Sequence, residues 1–147
     1  MTLYHFEHAR SEQQLQDMQQ LQEAGICIFC PQHLRQEAGQ RVLWESEHWI
    51  LTPNKFPYSS ARLHLLLVPH AHVTDVLDLP PAAQQDFWSA LGHVRTYYEL
   101  AYYGIGIRNG DPAHTGGTIA HVHVHVLVAD PAADRSLRMR FSSGPVG

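Results

Sequence analysis

Positive charge is scarce in this chain. Lys55 is its one lysine among 10 basic residues, the other nine being scattered arginines, and the formal net charge is −4. An extended basic surface for duplex or single-stranded nucleic acid is therefore not expected. A small anion is still admissible, because backbone N–H groups, histidines and one or two arginines hold a phosphate without a basic surface. Cysteine is equally scarce: with 2 residues, the chain does not have the makings of a disulfide scaffold. The longest apolar runs, Leu65 to Pro69 and Val122 to Ala129, fall short of a membrane span. The N-terminus lacks a basic segment followed by an apolar stretch and a small-residue cleavage site, so a cytoplasmic protein without membrane contact is expected. A G-x-G-x-x-G fingerprint is missing too. Gly104 and Gly106 supply only part of that spacing, which argues against a dinucleotide fold.

What remains is a globular composition, 44% hydrophobic and 16% charged, at a length that suits one domain. The outlier is histidine, whose 12 residues outnumber the 10 lysines and arginines.

Ser11 followed by Gln14 fits a capping box, and Leu15, Met18 and Leu21 give an apolar stripe that stops at Gly25. An amphipathic first helix is predicted there. The segment from Cys27 to Pro31 reads as a turn. Arg41 to Glu45 and His48 to Pro53 read as two strands joined at Ser46-Glu47, with Trp44 and Trp49 as packing residues. Asn54 to Arg62 reads as a loop, and Leu63 to Pro69 as a covered strand. Phe87, Leu91, Val94 and Tyr98 recur at helical spacing, predicting a helix from Pro81 to Tyr103 that stops at Gly104. A short strand over Gly104 to Arg108, a glycine-containing loop and a strand over His121 to Val128 follow. The tail has a basic bias from Arg135, Arg138 and Arg140, and Ser142 to Gly147 is expected to fray. The order favours an α+β domain with an N-terminal helix, a mainly antiparallel sheet and one long packing helix. Residues 1–24 are expected to form an N-terminal extension, 25–129 the main domain and 130–147 a tail.

The most informative segment runs from Ala120 to Val128. If it is a strand, His121, His123 and His125 share one face while Val122, Val124 and Val126 share the other. The valines enter the core and the imidazoles line a pocket, within reach of one phosphoryl group. One histidine on a strand is more often a hydrogen-bonded structural residue, but three in strict alternation, backed by valines, point to a site. Three collinear histidines do not reach one metal ion without backbone distortion, and an iron oxygenase site lacks a convincing carboxylate.

This pattern, followed by Val126 and Leu127, resembles the histidine triad motif. The resemblance covers Cys27 to Val128: Trp49 to Asn54, the Leu65 to Pro69 strand with His72 beyond it, the long helix, and Gly106 to Asn109 occur in the family's order. It implies a nucleotide hydrolase or transferase that acts at an α-phosphate, with His123 as the nucleophile of a covalent nucleotidyl-histidine intermediate. His121 and His125 complete the triad, His125 contacting phosphate oxygens or protonating the leaving group. The resemblance further implies Asn54 at the ribose, Asn109 on the phosphate side and Thr118 near the substrate. An Asx turn is the alternative reading for both asparagines. The substrate class is a purine nucleotide or dinucleotide, either a dinucleoside polyphosphate or a nucleoside phosphoramidate, and the assembly is a homodimer. A catalytically idle nucleotide-binding or regulatory module is the alternative function.

Cys27-x-x-Cys30 has the spacing of structural zinc sites and of dithiol redox pairs. The resemblance supplies a missing pair, His72 and His121, for a Cys2His2 structural zinc; no organic cofactor is expected. His33 and His70 are competing ligands. Two buried thiols remain an alternative. The family's proline-glycine-histidine entry to the third strand is replaced by Ala61-Arg62-Leu63-His64, after a longer Asn54 to His64 interval.

Overall fold

The computed structural model describes residues 2–36 and 41–142, and the structural statements below concern those residues. Helix α1 (Glu12–Ala24) is capped by Ser11, whose hydroxyl oxygen accepts from the Gln14 N–H at 3.0 Å. Gln14 does not close the capping box on Ser11, because its side-chain oxygen accepts from the Arg10 N–H instead. Gly25 ends the helix at φ 68°, a left-handed conformation that suits glycine. The chain then makes the expected turn at Cys27, and Pro31 starts a short second helix, α2 (Pro31–Leu34), absent from the sequence reading.

Five strands make one sheet in the order β1-β2-β3-β5-β4: Trp44–Glu45, Trp49–Pro53, Ala61–Pro69, Val124–Ala129 and Gly104–Ile107 for β1, β2, β3, β5 and β4. Every neighbouring pair is antiparallel, as the sequence predicts. Helix α3 (Pro81–Tyr97) packs on one face, where Phe87, Ala90, Leu91 and Val94 meet Trp49, Leu51, Leu65, Leu67, Val124, Val126 and Val128. The Trp49 indole N–H donates to the Ala83 carbonyl at 2.7 Å, which satisfies its buried polar atom. The N-terminal segment covers the other face: Leu3, Tyr4, Met18, Ile28, Phe29 and Leu34 pack on Ile50, Leu66 and Val68. Alternate β3 side chains thus feed two cores, which explains the uninterrupted apolar run.

Two predicted boundaries move. Helix α3 stops at Tyr97, short of the predicted Tyr103, and its exit is built at Glu99 rather than Gly104. Strand β5 starts at Val124, so His121 and His123 precede it. There the Val122 N–H donates to the Val73 carbonyl, outside the sheet ladder, while Val122 itself stays buried. The tail is seated as far as Ser142: Met139 fills the space beside Gly106, and Ser142 backbone atoms lie against Gly116. The predicted fraying of 143–147 lies outside the described residues.

Candidate active site and metal centre

The turn after α1 and the segment before β5 bring four donor atoms together. Cys27, Cys30, His72 and His121 place their ligand atoms within 4.8 Å of one another. Cys27 Sγ lies 3.6 Å from His121 Nδ1, Cys30 Sγ 3.3 Å from His72 Nδ1 and 3.8 Å from His121 Nδ1, and the two Nδ1 atoms are 3.2 Å apart. A tetrahedral zinc ion with ordinary Zn–S and Zn–N bonds spaces its donors roughly 3.3–3.8 Å apart, and these four separations match that spacing, while the widest in the set, 4.8 Å, closes by a side-chain adjustment of about an ångström. His121 Nε2–H donates to the Pro69 carbonyl at 2.8 Å, which leaves Nδ1 free as a ligand. Burial, opposed by that carbonyl, pushes the His121 ring down to about 4, so it is neutral. Burial, and secondarily the neighbouring Cys30, pushes the Cys27 thiol up to about 12, a cost that a bound cation offsets. His33 is outside the cluster, and His70 instead faces Glu45 at 3.1 Å.

Beside this cluster lies a cavity of about 560 Å³. Ile28, Phe29 and Leu66 give it an apolar wall, while Asn54, Thr118, His123 and His125 supply polar groups. His123 Nδ1–H donates to the His121 carbonyl at 2.8 Å. The opposite nitrogen, Nε2, therefore carries the lone pair. Burial pushes this ring down to about 4 against the pull of that carbonyl, with Arg108 lowering it further. Phe29 meets His123 edge-on at 4.8 Å between ring centres, and His125 is 5.0 Å away.

His125, fully inside the sheet, is oriented by His64, a residue that the sequence allows either near the pocket or at a strand edge and that stands at the pocket. The Tyr58 N–H points at His64 Nδ1 (3.1 Å), so the proton of a neutral His64 sits on Nε2. That Nε2–H donates to His125 Nδ1 at 2.8 Å, which leaves the His125 proton on Nε2, while the Asn54 Nδ2 lies 3.1 Å from the same His64 nitrogen as a second donor. Burial, with Arg10, His123 and Arg108 nearby, pushes His64 down to about 3 and keeps it neutral. Burial likewise holds His125 well below its ordinary value. The register offered a signal for this pair: Leu66 opposes His125, and His64 lies two residues away on the same side of β3.

The remaining expected residues separate. Asn54 lines the cavity, yet its Oδ1 accepts from the Phe56 N–H at 2.8 Å, which is the Asx turn the sequence also allows. Thr118 lines the cavity as well, with its carbonyl accepting from the His5 N–H. Asn109 does not line it; its Oδ1 accepts from the Val76 N–H at 2.7 Å and fastens the loop after β3. The ring of His121 belongs to the metal cluster, and its carbonyl orients His123. Arg10, Tyr58 and Arg108, which the sequence reading leaves without roles, all line the cavity.

An antiparallel α+β sheet that sets alternating histidines over a cavity, beside a Cys2His2 cluster, defines a histidine triad type of protein. The HIT domain model matches residues 35–132, and the chain belongs to that family. Among relatives, an uncharacterized HIT-like protein of Chlamydia muridarum is 30% identical over 91 residues, covering 58% of this chain and 68% of the relative. A HIT family hydrolase from Clostridium thermocellum superposes with TM-score 0.58 at 25% identity, over 76% of this chain and 96% of its own. A zinc-bound histidine triad family protein from Mycobacterium smegmatis shares the fold with TM-score 0.54 at 24% identity, over 78% of this chain and 83% of its own. No helix among the described residues is long and apolar enough to cross a membrane.

Proposed function

We propose that the chain is a nucleotidyl hydrolase or transferase that attacks the α-phosphate of a purine nucleotide or dinucleotide with His123. The observation that carries this reading is the 2.8 Å bond from His123 Nδ1–H to the His121 carbonyl, which leaves Nε2 as a lone pair at the cavity. Nε2 forms a bond to the α-phosphorus as the bond from phosphorus to the leaving group breaks. The His125 Nε2–H donates a hydrogen bond that stabilises the charge developing on the phosphoryl oxygens, and the leaving group takes its proton from solvent. Water then attacks the same phosphorus, the bond from phosphorus to His123 Nε2 breaks, the water proton passes to solvent, and the nucleoside monophosphate leaves with His123 neutral again. Backbone orientation suffices for this nucleophile, so no carboxylate is required. In this reading Asn54 serves the ribose and Thr118 the substrate more generally, while Asn109, outside the cavity lining, has a structural part through Val76.

Cys27, Cys30, His72 and His121 would hold a zinc ion, which would supply a structural clamp. Four protein donors leave no open coordination position for substrate. The resemblance also supports a homodimer, for which the edge strand β4 and its exposed Ile105 are candidates. Sedimentation at twice the chain mass is the expected result, and a monomer at micromolar concentration would count against it.

The deciding experiment is rapid quenching of the purified protein with a nucleotide panel. A nucleotide attached to His123 is expected, and His123→Ala should lower turnover by on the order of a thousandfold or more while the fold persists. Unchanged turnover in that variant, without an adduct in the wild type, removes the mechanism.

A further inference from the structure

On the His125 side of the cavity two arginines lie at a place where no carboxylate answers them. Arg108, from the end of β4, donates from Nε (2.9 Å) and Nη2 (2.6 Å) to the Arg140 carbonyl and from Nη2 to the Tyr58 hydroxyl (3.2 Å). Its Nη1 is left facing His125 Nε2 at 3.4 Å. Because the tautomer chain through His64 puts a proton on that Nε2, both atoms are donors. Two donors turned toward one another need a shared acceptor between or beside them. The Arg10 guanidinium lies over the same Tyr58 ring, 4.7 Å from its centre, and donates to the Phe56 carbonyl. Tyr58 also stacks on His125, 5.8 Å between ring centres, so the two arginines and the histidine share one shelf. Among the described residues neither Arg10 nor Arg108 forms an ion pair with a carboxylate.

The geometry points to an anion subsite formed by Arg10, Arg108 and His125 Nε2–H, which takes a phosphate of the leaving half of the substrate, beyond the phosphorus that His123 attacks. This rests on the proposed attack by His123, since it is the position of His125 beside that nucleophile that makes this the leaving side. Desolvation first, then the nearby charges of Arg108 and Arg140, hold the Arg10 guanidinium below its usual value, whereas the Tyr58 phenol opposes them. An anion in the subsite relieves that repulsion. Arg10 precedes the family match at 35–132 and Arg140, whose carbonyl aims Arg108, follows it. The longer Asn54 to His64 interval supplies Tyr58. The subsite therefore takes Arg10 and the Arg140 carbonyl from outside the family match and Tyr58, Arg108 and His125 from within it. It selects substrates whose leaving group is a polyphosphate over those that release an uncharged amine.

The test uses the full chain, with tripolyphosphate as a binding probe and two substrates, a dinucleoside tetraphosphate and a nucleoside phosphoramidate. Arg10→Gln and Arg108→Gln should each weaken tripolyphosphate binding about tenfold or more, as expected for loss of a charge-assisted hydrogen bond. Arg108→Lys should recover only part, lacking the planar fork. The ratio of kcat/KM for the tetraphosphate to that for the phosphoramidate should fall by a similar factor. Added inorganic phosphate separates the two sources of the anion: nucleoside diphosphate as product means that phosphate enters as an acceptor and overturns the leaving-group assignment, while nucleoside monophosphate without diphosphate agrees with it. Unchanged tripolyphosphate binding in both glutamine variants, with an unchanged substrate ratio, overturns the subsite and leaves a His123 adduct intact. Conversely, binding lost in the variants without any adduct in the wild type keeps the subsite and removes the His123 mechanism. Should Arg108→Gln not fold, exposed Arg10 carries the test.

Discussion

His64 shows how one buried ring couples stability to the site. Its Nδ1 accepts from the Tyr58 N–H and its Nε2–H donates to His125, so a second proton has no acceptor to meet and instead faces Arg10, Arg108 and the neighbouring histidines. The folded ring titrates near about 3, against an ordinary value of 6.5 in the unfolded chain. Between those values the unfolded state binds more protons, so this contribution is present in full above about pH 6.5 and is lost as pH falls toward about 3. Between about pH 7 and about pH 5 the loss should approach 2 kcal/mol. Urea unfolding at the two pH values should show His64→Asn with a flatter pH dependence than the wild type, and parallel slopes would contradict the assignment. His123 is legible in the sequence, because alternation with valine marks both its face and its neighbours. His64 is not, since its role follows from a cross-strand register that a single histidine in an apolar run does not reveal. The two asparagines lie between these cases: their residue type announces a hydrogen bond to backbone but not which backbone group, here Phe56 and Val76.

At the level of elements, the end of α3 explains a misplaced boundary. The Leu100 N–H donates to the Arg95 carbonyl and the Glu99 N–H lies 3.3 Å from the Thr96 carbonyl, the paired bonds of a Schellman ending, with buried Leu100 supplying its hydrophobic contact. Glu99 occupies the left-handed position at φ 52° where glycine is usual. Sequence reading carried the helix on to Gly104 because glutamate gives no stop signal. Replacing Glu99 by glycine removes a steric cost of about 1–2 kcal/mol, partly offset by the greater freedom of glycine in the unfolded chain. A net gain of up to about 1 kcal/mol in chemical denaturation is expected, and a loss of stability would show that the exposed carboxylate is needed there. The start of β5 was misplaced for a related reason. Period-two alternation continues through His121 to His125, but at Val122 the backbone bonds to Val73 rather than to a strand, and alternation reports side-chain direction without reporting who accepts the N–H.

Across the whole molecule, the four-donor cluster is where two separately packed layers meet. Met18, Ile28 and Phe29 belong to the layer on the N-terminal face, while Val124 and Val126, just past His121, belong to the core beneath α3. Besides the cluster, the N-terminal segment is tied down by a Tyr4 bridge to Ile119, by His8 Nδ1–H donating to the Gly117 carbonyl at 2.6 Å, by Arg10 donating to the Phe56 carbonyl, by the Asp17–Lys55 ion pair at 2.8 Å, and by apolar contact. The spacing of the cysteines was visible in the sequence, and so was the layer order, because periodicity separates one long helix from the strands. Which histidines close the cluster is set by tertiary geometry: Pro69 aims His121 by accepting from its Nε2, and His72 lies three residues further along the chain than that proline. Purified protein is expected to hold one zinc per chain, and chelation at neutral pH should lower thermal stability by several kcal/mol or more, given the free energy of structural zinc binding. Turnover should fall with it, because the same His121 whose ring enters the cluster presents the carbonyl that orients His123. Cys30→Ser separates the two effects: it should lose zinc and shift the His123 Nδ1–H resonance, while Leu3→Ala, which loosens the apolar N-terminal layer, should leave that resonance in place. Zinc retained at full stoichiometry in Cys30→Ser, or a stable and fully active protein after chelation, would show that the cysteines serve only as packing.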